Sequence, residues 1–149
     1  MQQARYYTHE AAFTLPDASY VDSSFNVIRL PQLNANLVIS RGALNDGETL
    51  ESSLDAQMRR LADQVAELHY SAKQPVTIGL RQDVAGFEMQ NRFMRGKEPV
   101  YQYQLAWLLP GSRTMMALSY TRATALTDID AAHWSAIKAS IDFRSATRD

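Results

Sequence analysis

Histidines, carboxylates, serines and glycines are the residues with which this chain could do chemistry, and their spacing argues against most of it. The histidines are His9, His69 and His133, scattered over three predicted elements. None has a partner at metal-ligand spacing such as HxxxH or HExxH, so each reads as a structural or surface residue. Asp128 and Asp130 fall at the start of a predicted helix, where carboxylates suit the dipole, and Asp22, Asp46 and Asp83 fall in predicted turns. Nothing pairs two of them on one face for general acid–base work. No GxSxG elbow surrounds a serine, and the six glycines assemble neither a GxGxxG nor a Walker loop. "GKEP" at Gly96 is a hairpin turn. Without cysteine, the chain has no disulfide framework, thiolate zinc site or cysteine nucleophile, which suits a reducing cytosol. Nothing positive points to an enzyme, a metal or a cofactor.

Composition narrows the partners. At 149 residues the chain has the size of one domain with a substantial core, so residues 1–149 are read as a single unit. A net charge of -1 gives no electrostatic reason to expect nucleic acid or an anionic membrane surface. "MQQARYYTHE" has no basic stretch leading into an apolar run, and no stretch of about 18 apolar residues occurs. The expectation is a soluble, cytoplasmic protein that does not itself insert into a membrane.

The elements that position side chains can be read from periodicity. His9 to Leu15 reads as a strand stopped by Pro16 and Asp17. Ser24 to Leu30 and Asn36 to Gly42 read as an antiparallel pair joined by a short connection. Thr49 is a predicted N-cap, with Glu51 favouring the positive end of the helix. Leu50, Leu54, Leu61, Val65 and Leu68 follow at helical spacing with Met58 beside them, while Arg59, Arg60, Asp63 and Glu67 occupy the opposite side. Pro75 forbids simple continuation, so the helix is expected to end near Tyr70. "PVTIGL", "FEMQNRFM", "VYQYQLAWLL" and "RTMMALSYT" then read as strands of a meander with tight turns at "RGKEP" and Pro110–Gly111. A last helix starts near Thr127 and buries Trp134, Ile137 and Ile141. The expected fold is α+β, two helices packed on a curved antiparallel sheet.

"VYQYQLAW", Val100 to Trp107, poses the functional question. Tyr101, Tyr103, Leu105 and Trp107 share one face and read as core beneath the helices. Val100, Gln102, Gln104 and Ala106 share the other, yet a water face normally carries charge. "NVIRLP" and "LVIS" also place apolar residues on both faces. Three explanations compete: a sheet covered on both faces within one chain, a homodimer interface, or a groove for an apolar partner. Gln57 and Gln64 stand one heptad apart on the first helix, beside Leu61. Glutamine adds hydrogen bonds to an apolar surface without the desolvation cost of a charge. Transmembrane helices, which associate through small residues and interhelical polar contacts, are partners of that type.

The order of "NVIRLP", "SRGAL", "NDGETL" and "LESSLDAQMRRLADQVAEL", followed by "GKEPVYQYQLAWLLPGSRTMMALSYT" and "HWSAIKASIDF", resembles the Eag chaperones of type VI secretion systems. These belong to the DcrB-related (DUF1795) group, and the likeness covers nearly the whole chain. It implies a Mog1/PsbP-like α+β fold and a homodimer that binds the N-terminal transmembrane helices of a PAAR or Rhs effector, keeping it soluble for loading and export. It places partner contacts at Val27, Ile28, Gln57, Leu61, Val65, Val100, Gln102 and Gln104. A Mog1-like adaptor for a soluble protein is the main rival, and a lipid or small-molecule carrier is third.

Overall fold

A computed structural model describes residues 2–143. A short hairpin, β1 (Ala4–Tyr7) with β2 (Ala12–Leu15), stands apart from the main sheet. Only the second of these strands was anticipated, as His9 to Leu15. The main sheet has seven strands: β3 (Phe25–Leu30), β4 (Ala35–Ala43), β5 (Ala66–Tyr70), β6 (Gln74–Ile78), β7 (Val84–Arg95), β8 (Glu98–Leu108) and β9 (Thr114–Arg122). They lie in the order β3-β4-β9-β8-β7-β5, and β6 shares the outer edge of β7 with β5. Every pairing is antiparallel and the sheet is open, giving the α+β class expected.

Helix α1 (Leu50–Gln64) begins where the sequence places it. Thr49 Oγ1 accepts from the Ser52 N–H at 3.1 Å, and Ser52 Oγ accepts from the Thr49 N–H at 2.9 Å. It stops earlier than expected. Val65 turns extended, Glu67 takes a φ of 55°, and Ala66–Tyr70 pairs with β7 instead of adding turns. Leu61, Val65 and Leu68 fit helical spacing, but the free edge of β7 offers backbone partners that the isolated pattern cannot reveal. Helix α2 (Asp128–Ala139) starts behind Thr127, as predicted, with Asp128 and Asp130 in its first turn.

The two helices occupy opposite faces of the sheet. Trp134 of α2 packs over Leu105, Trp107, Leu118 and Tyr120, with Ile137 and Ile141 at the margin. The Tyr103 ring stacks on Trp134 at 5.7 Å with an interplanar angle of 11°. Trp134 Nε1 and Lys138 Nζ both donate to Glu88 of β7, which secures the helix to the strand beneath it. The aromatic face of "VYQYQLAW" is therefore core under α2 alone. Its uncharged face lies toward α1.

Candidate functional site

Register gathers the residues of this sparsely charged face. Directly opposed residues in a sheet point to the same side, so Val27, Val38, Ser119, Gln104 and Met89 form one row across β3, β4, β9, β8 and β7. Phe25, Ser40, Ala117, Ala106 and Phe87 form the next row. Arg29, Asn36, Thr121, Gln102 and Asn91 flank it on the other side. Helix α1 crosses the β7–β8 end of this face and turns Leu54 and Met58 down onto it, both buried. It leaves the β3–β4 end open, where Phe25 and Val27 are exposed.

Between the helix and the sheet lies a recess of about 260 Å³. Leu54, Met58 and Leu61 form its helical wall together with the charged Arg60, and Phe87, Met89, Leu105, Ala106 and Ala117 its floor, while Gln57, Gln64 and Gln104 contribute amides. The amides of this sheet face are linked across strands. Asn91 Nδ2 donates to Gln104 Oε1 at 2.7 Å, and Gln104 Nε2 donates to Ser119 Oγ at 3.4 Å. Gln102 Nε2 donates to Thr121 Oγ1 at 3.3 Å. On the wall, Gln57 Nε2 has Met115 Sδ at 3.8 Å, a weak acceptor. Each amide nitrogen carries two hydrogens, so Gln57 and Gln104 keep donor capacity for a guest. The Asn91 Oδ1 acceptor is buried without a partner.

The structure brings some of the sequence-predicted residues together and separates others. Gln57, Leu61 and Gln104 meet in the recess. Gln102 and Val100 share its sheet face, and Val27 shares the Gln104 row, three strand spacings or roughly 14 Å away. Ile28 belongs to the other face, in the row of Leu37, Tyr120 and Tyr103, because adjacent strand residues alternate. Val65 is not on the helix: it is the extended C-cap, its N–H bonded to the Leu61 carbonyl at 3.1 Å, and does not line the recess. Phe87, Met89, Ala117 and Asn91 escaped the sequence reading. Their signal is the alternation of β7 and β9, which becomes legible only once each strand's neighbour is known.

A second recess, about 500 Å³, lies on the far flank of α1, lined by Asp55, Arg59, Tyr70 and Lys73 among others. Lys73 is occupied by Asp55 and by Glu51 at 3.4 Å. Among the described residues no cluster of three or more histidines, cysteines or carboxylates could hold a metal. No described helix is long and apolar enough to cross a membrane.

The family model for DcrB matches residues 10–140. No protein of curated function matches the sequence. Among solved structures, PA94 from Pseudomonas aeruginosa, a protein of unknown function, superposes with a TM-score of 0.75 at 19% identity, over 98% of this chain and 100% of that one. At that identity the likeness concerns the fold.

Proposed function

This chain belongs to the DcrB family, and on that premise we propose that it is a cytoplasmic chaperone for the apolar N-terminal helices of a secreted effector, of the PAAR or Rhs type exported by a type VI system. The observation that carries this reading is the sheet face beside α1, whose two central rows hold no charge, with Arg29 at its margin and Arg60 on the recess wall. It joins an apolar recess to spare amide donors and continues onto open apolar strands. Those central rows give water no charge to solvate, whereas a membrane helix uses both qualities of the face. Its aliphatic side chains fill the recess, each Å² removed from water contributing roughly 25 cal/mol. Its small or hydroxyl-bearing positions, which seek interhelical polar contacts in a membrane, meet the amides of Gln57 and Gln104.

The chemistry is binding alone, with two copies forming the clamp and the client protected until it reaches another apolar environment. Co-expression with the N-terminal segment of a neighbouring PAAR or Rhs gene product tests the proposal. The segment should be soluble and co-purify only when this protein is present. A segment that stays soluble alone, or never co-purifies, removes the chaperone reading. Selective retention of a folded soluble partner instead would favour the adaptor.

A further inference from the structure

Helix α1 presents a different stripe to each of its flanks. Leu54, Gln57, Leu61 and Gln64 line the first recess, whereas Asp55, Met58, Arg59 and Ala62 line the second. Both sets follow the three-and-four spacing of a single helix face. Opposite the second stripe runs the segment 70–73, and Met89 of β7 completes the lining. Met58 and Met89 belong to both recesses, so two adaptable thioether side chains form the partition between them.

The charges of the second recess are unevenly engaged. Lys73 pairs with Asp55 on the facing wall and with Glu51 at 3.4 Å, so both carboxylates are taken. Arg59 is exposed and has no ion pair or hydrogen bond among the described residues. The recess thus offers one uncommitted charge, a guanidinium whose planar fork suits a carboxylate. Beside it lie the apolar side chains of Met58, Ala62, Ala72 and Met89. The Asp55–Lys73 pair also joins the two walls, which blinds the recess at the end nearer the start of α1. Tyr70, three residues back along the outer wall, is 58% exposed.

We infer that this recess takes the C-terminus of another polypeptide, one that ends in an apolar residue. A chain end carries its carboxylate and its last side chain on the same Cα, which matches a lone cation beside an apolar lining. A recess blind at one end admits a terminus, whereas a chain passing through needs two openings. Its volume of about 500 Å³ lies within the range of ligand pockets. From Asp55 to Ala62 the helical wall runs roughly 10 Å, about the length of three extended residues. The Ser71 hydroxyl accepts from the Gln90 N–H at 2.9 Å and keeps its own hydrogen for a further acceptor. None of this rests on the chaperone reading, because the recess lies on the other flank of α1.

Nuclear magnetic resonance titration with acetyl-Gly-Ser-Leu-Leu, as free acid and as C-terminal amide, tests the inference. The free acid should shift the backbone amides of Tyr70, Ser71 and Ala72. The amide should bind at least about ten-fold more weakly, as expected when a hydrogen bond to a charged group is lost. Arg59→Gln should bring the acid down to the level of the amide. Ala72→Trp, at an exposed position, should fill the recess and abolish the shifts in a protein whose spectrum stays folded. Equal binding of acid and amide, or no shift with either, overturns the proposal. So does equal affinity for acetyl-Gly-Leu-Glu-Leu-amide, whose carboxylate is internal. Shifts confined to the side-chain amides of Gln57, Gln64 and Gln104 would place the peptide in the first recess and overturn it as well.

Discussion

The Tyr120 hydroxyl donates to Asp130 Oδ1 at 2.8 Å and so ties the centre of the sheet to the first turn of α2. Tyr120 is fully buried, and Asp130 is nearly so. The other carboxylate oxygen accepts from the Thr127 N–H at 2.8 Å and from Arg122 Nη1 at 2.9 Å. One aspartate thus caps the helix, neutralises a sheet arginine and satisfies a core phenol. Tyr120→Phe removes a bond to a charged acceptor and should cost roughly 1.5–3 kcal/mol in urea denaturation. A change within experimental error would mean that the phenol contributes only its ring.

The same carboxylate predicts an acid limb. Burial alone would raise its pKa, but the hydrogen bonds from Thr127, Tyr120 and Arg122 outweigh that and hold it at about 2, against an ordinary 3.8. A group depressed on folding contributes stability in full above its unfolded pKa, and loses it as the pH falls through the folded value. The stability advantage of wild type over Asp130→Asn should therefore hold above about pH 4 and shrink toward about pH 2. Paired denaturation curves across that window check it. A difference independent of pH would show that the charge does not matter.

Gly86 shows a different constraint. A Cβ there would sit 2.6 Å from the Ala106 carbonyl oxygen of the neighbouring strand, too close without moving β7 from β8. Gly86→Ala should thus destabilise by roughly 1–3 kcal/mol, the usual cost of overpacking. Gly42→Ala, on β4 with nothing near its would-be Cβ, should be close to neutral by the same thermal melt. Equal effects at the two glycines would rule out the close approach as the cause.

What was legible in the sequence follows from which interactions are local. The N-cap at Thr49 and the start of the last helix near Thr127 could be read because the signals of a helix N-terminus are local, and the structure adds a capping box at each. The meander from β7 to β9 could be read because its turns are short and glycine-marked. The end of α1 could not. Leu68 continues a helical period, and only the distant edge of β7 turns it into a strand residue. The face of Ile28 and the helix-free placement of Val65 were obscure for the same reason, as was the division of α1 and α2 between opposite faces. Gln104 was found because an uncharged strand face stands out, and Leu61 through the resemblance. Their partners Met89 and Ala117 do not stand out, since such residues are ordinary in any strand.

Leu54 and Leu61 lie two turns apart on α1 and separate folding from binding. Leu54 is 8% exposed against the sheet, whereas Leu61 is half-buried at the open wall of the recess. A carboxylate at Leu54 would be desolvated with no partner, so Leu54→Asp should unfold the protein or cost several kcal/mol. At Leu61 the carboxylate can turn toward water, and the melting temperature should move little. Yet it would place a charge where the client's apolar surface must sit, so Leu61→Asp should lose at least ten-fold in retention of the effector segment. Gln57→Ala, which removes a donor but no charge balance, should weaken retention less, about three- to ten-fold for one neutral hydrogen bond. The checks are a thermal melt and a pull-down of the co-expressed segment for each variant. A folded Leu61→Asp protein that retains its client as well as wild type would move the binding surface away from this recess.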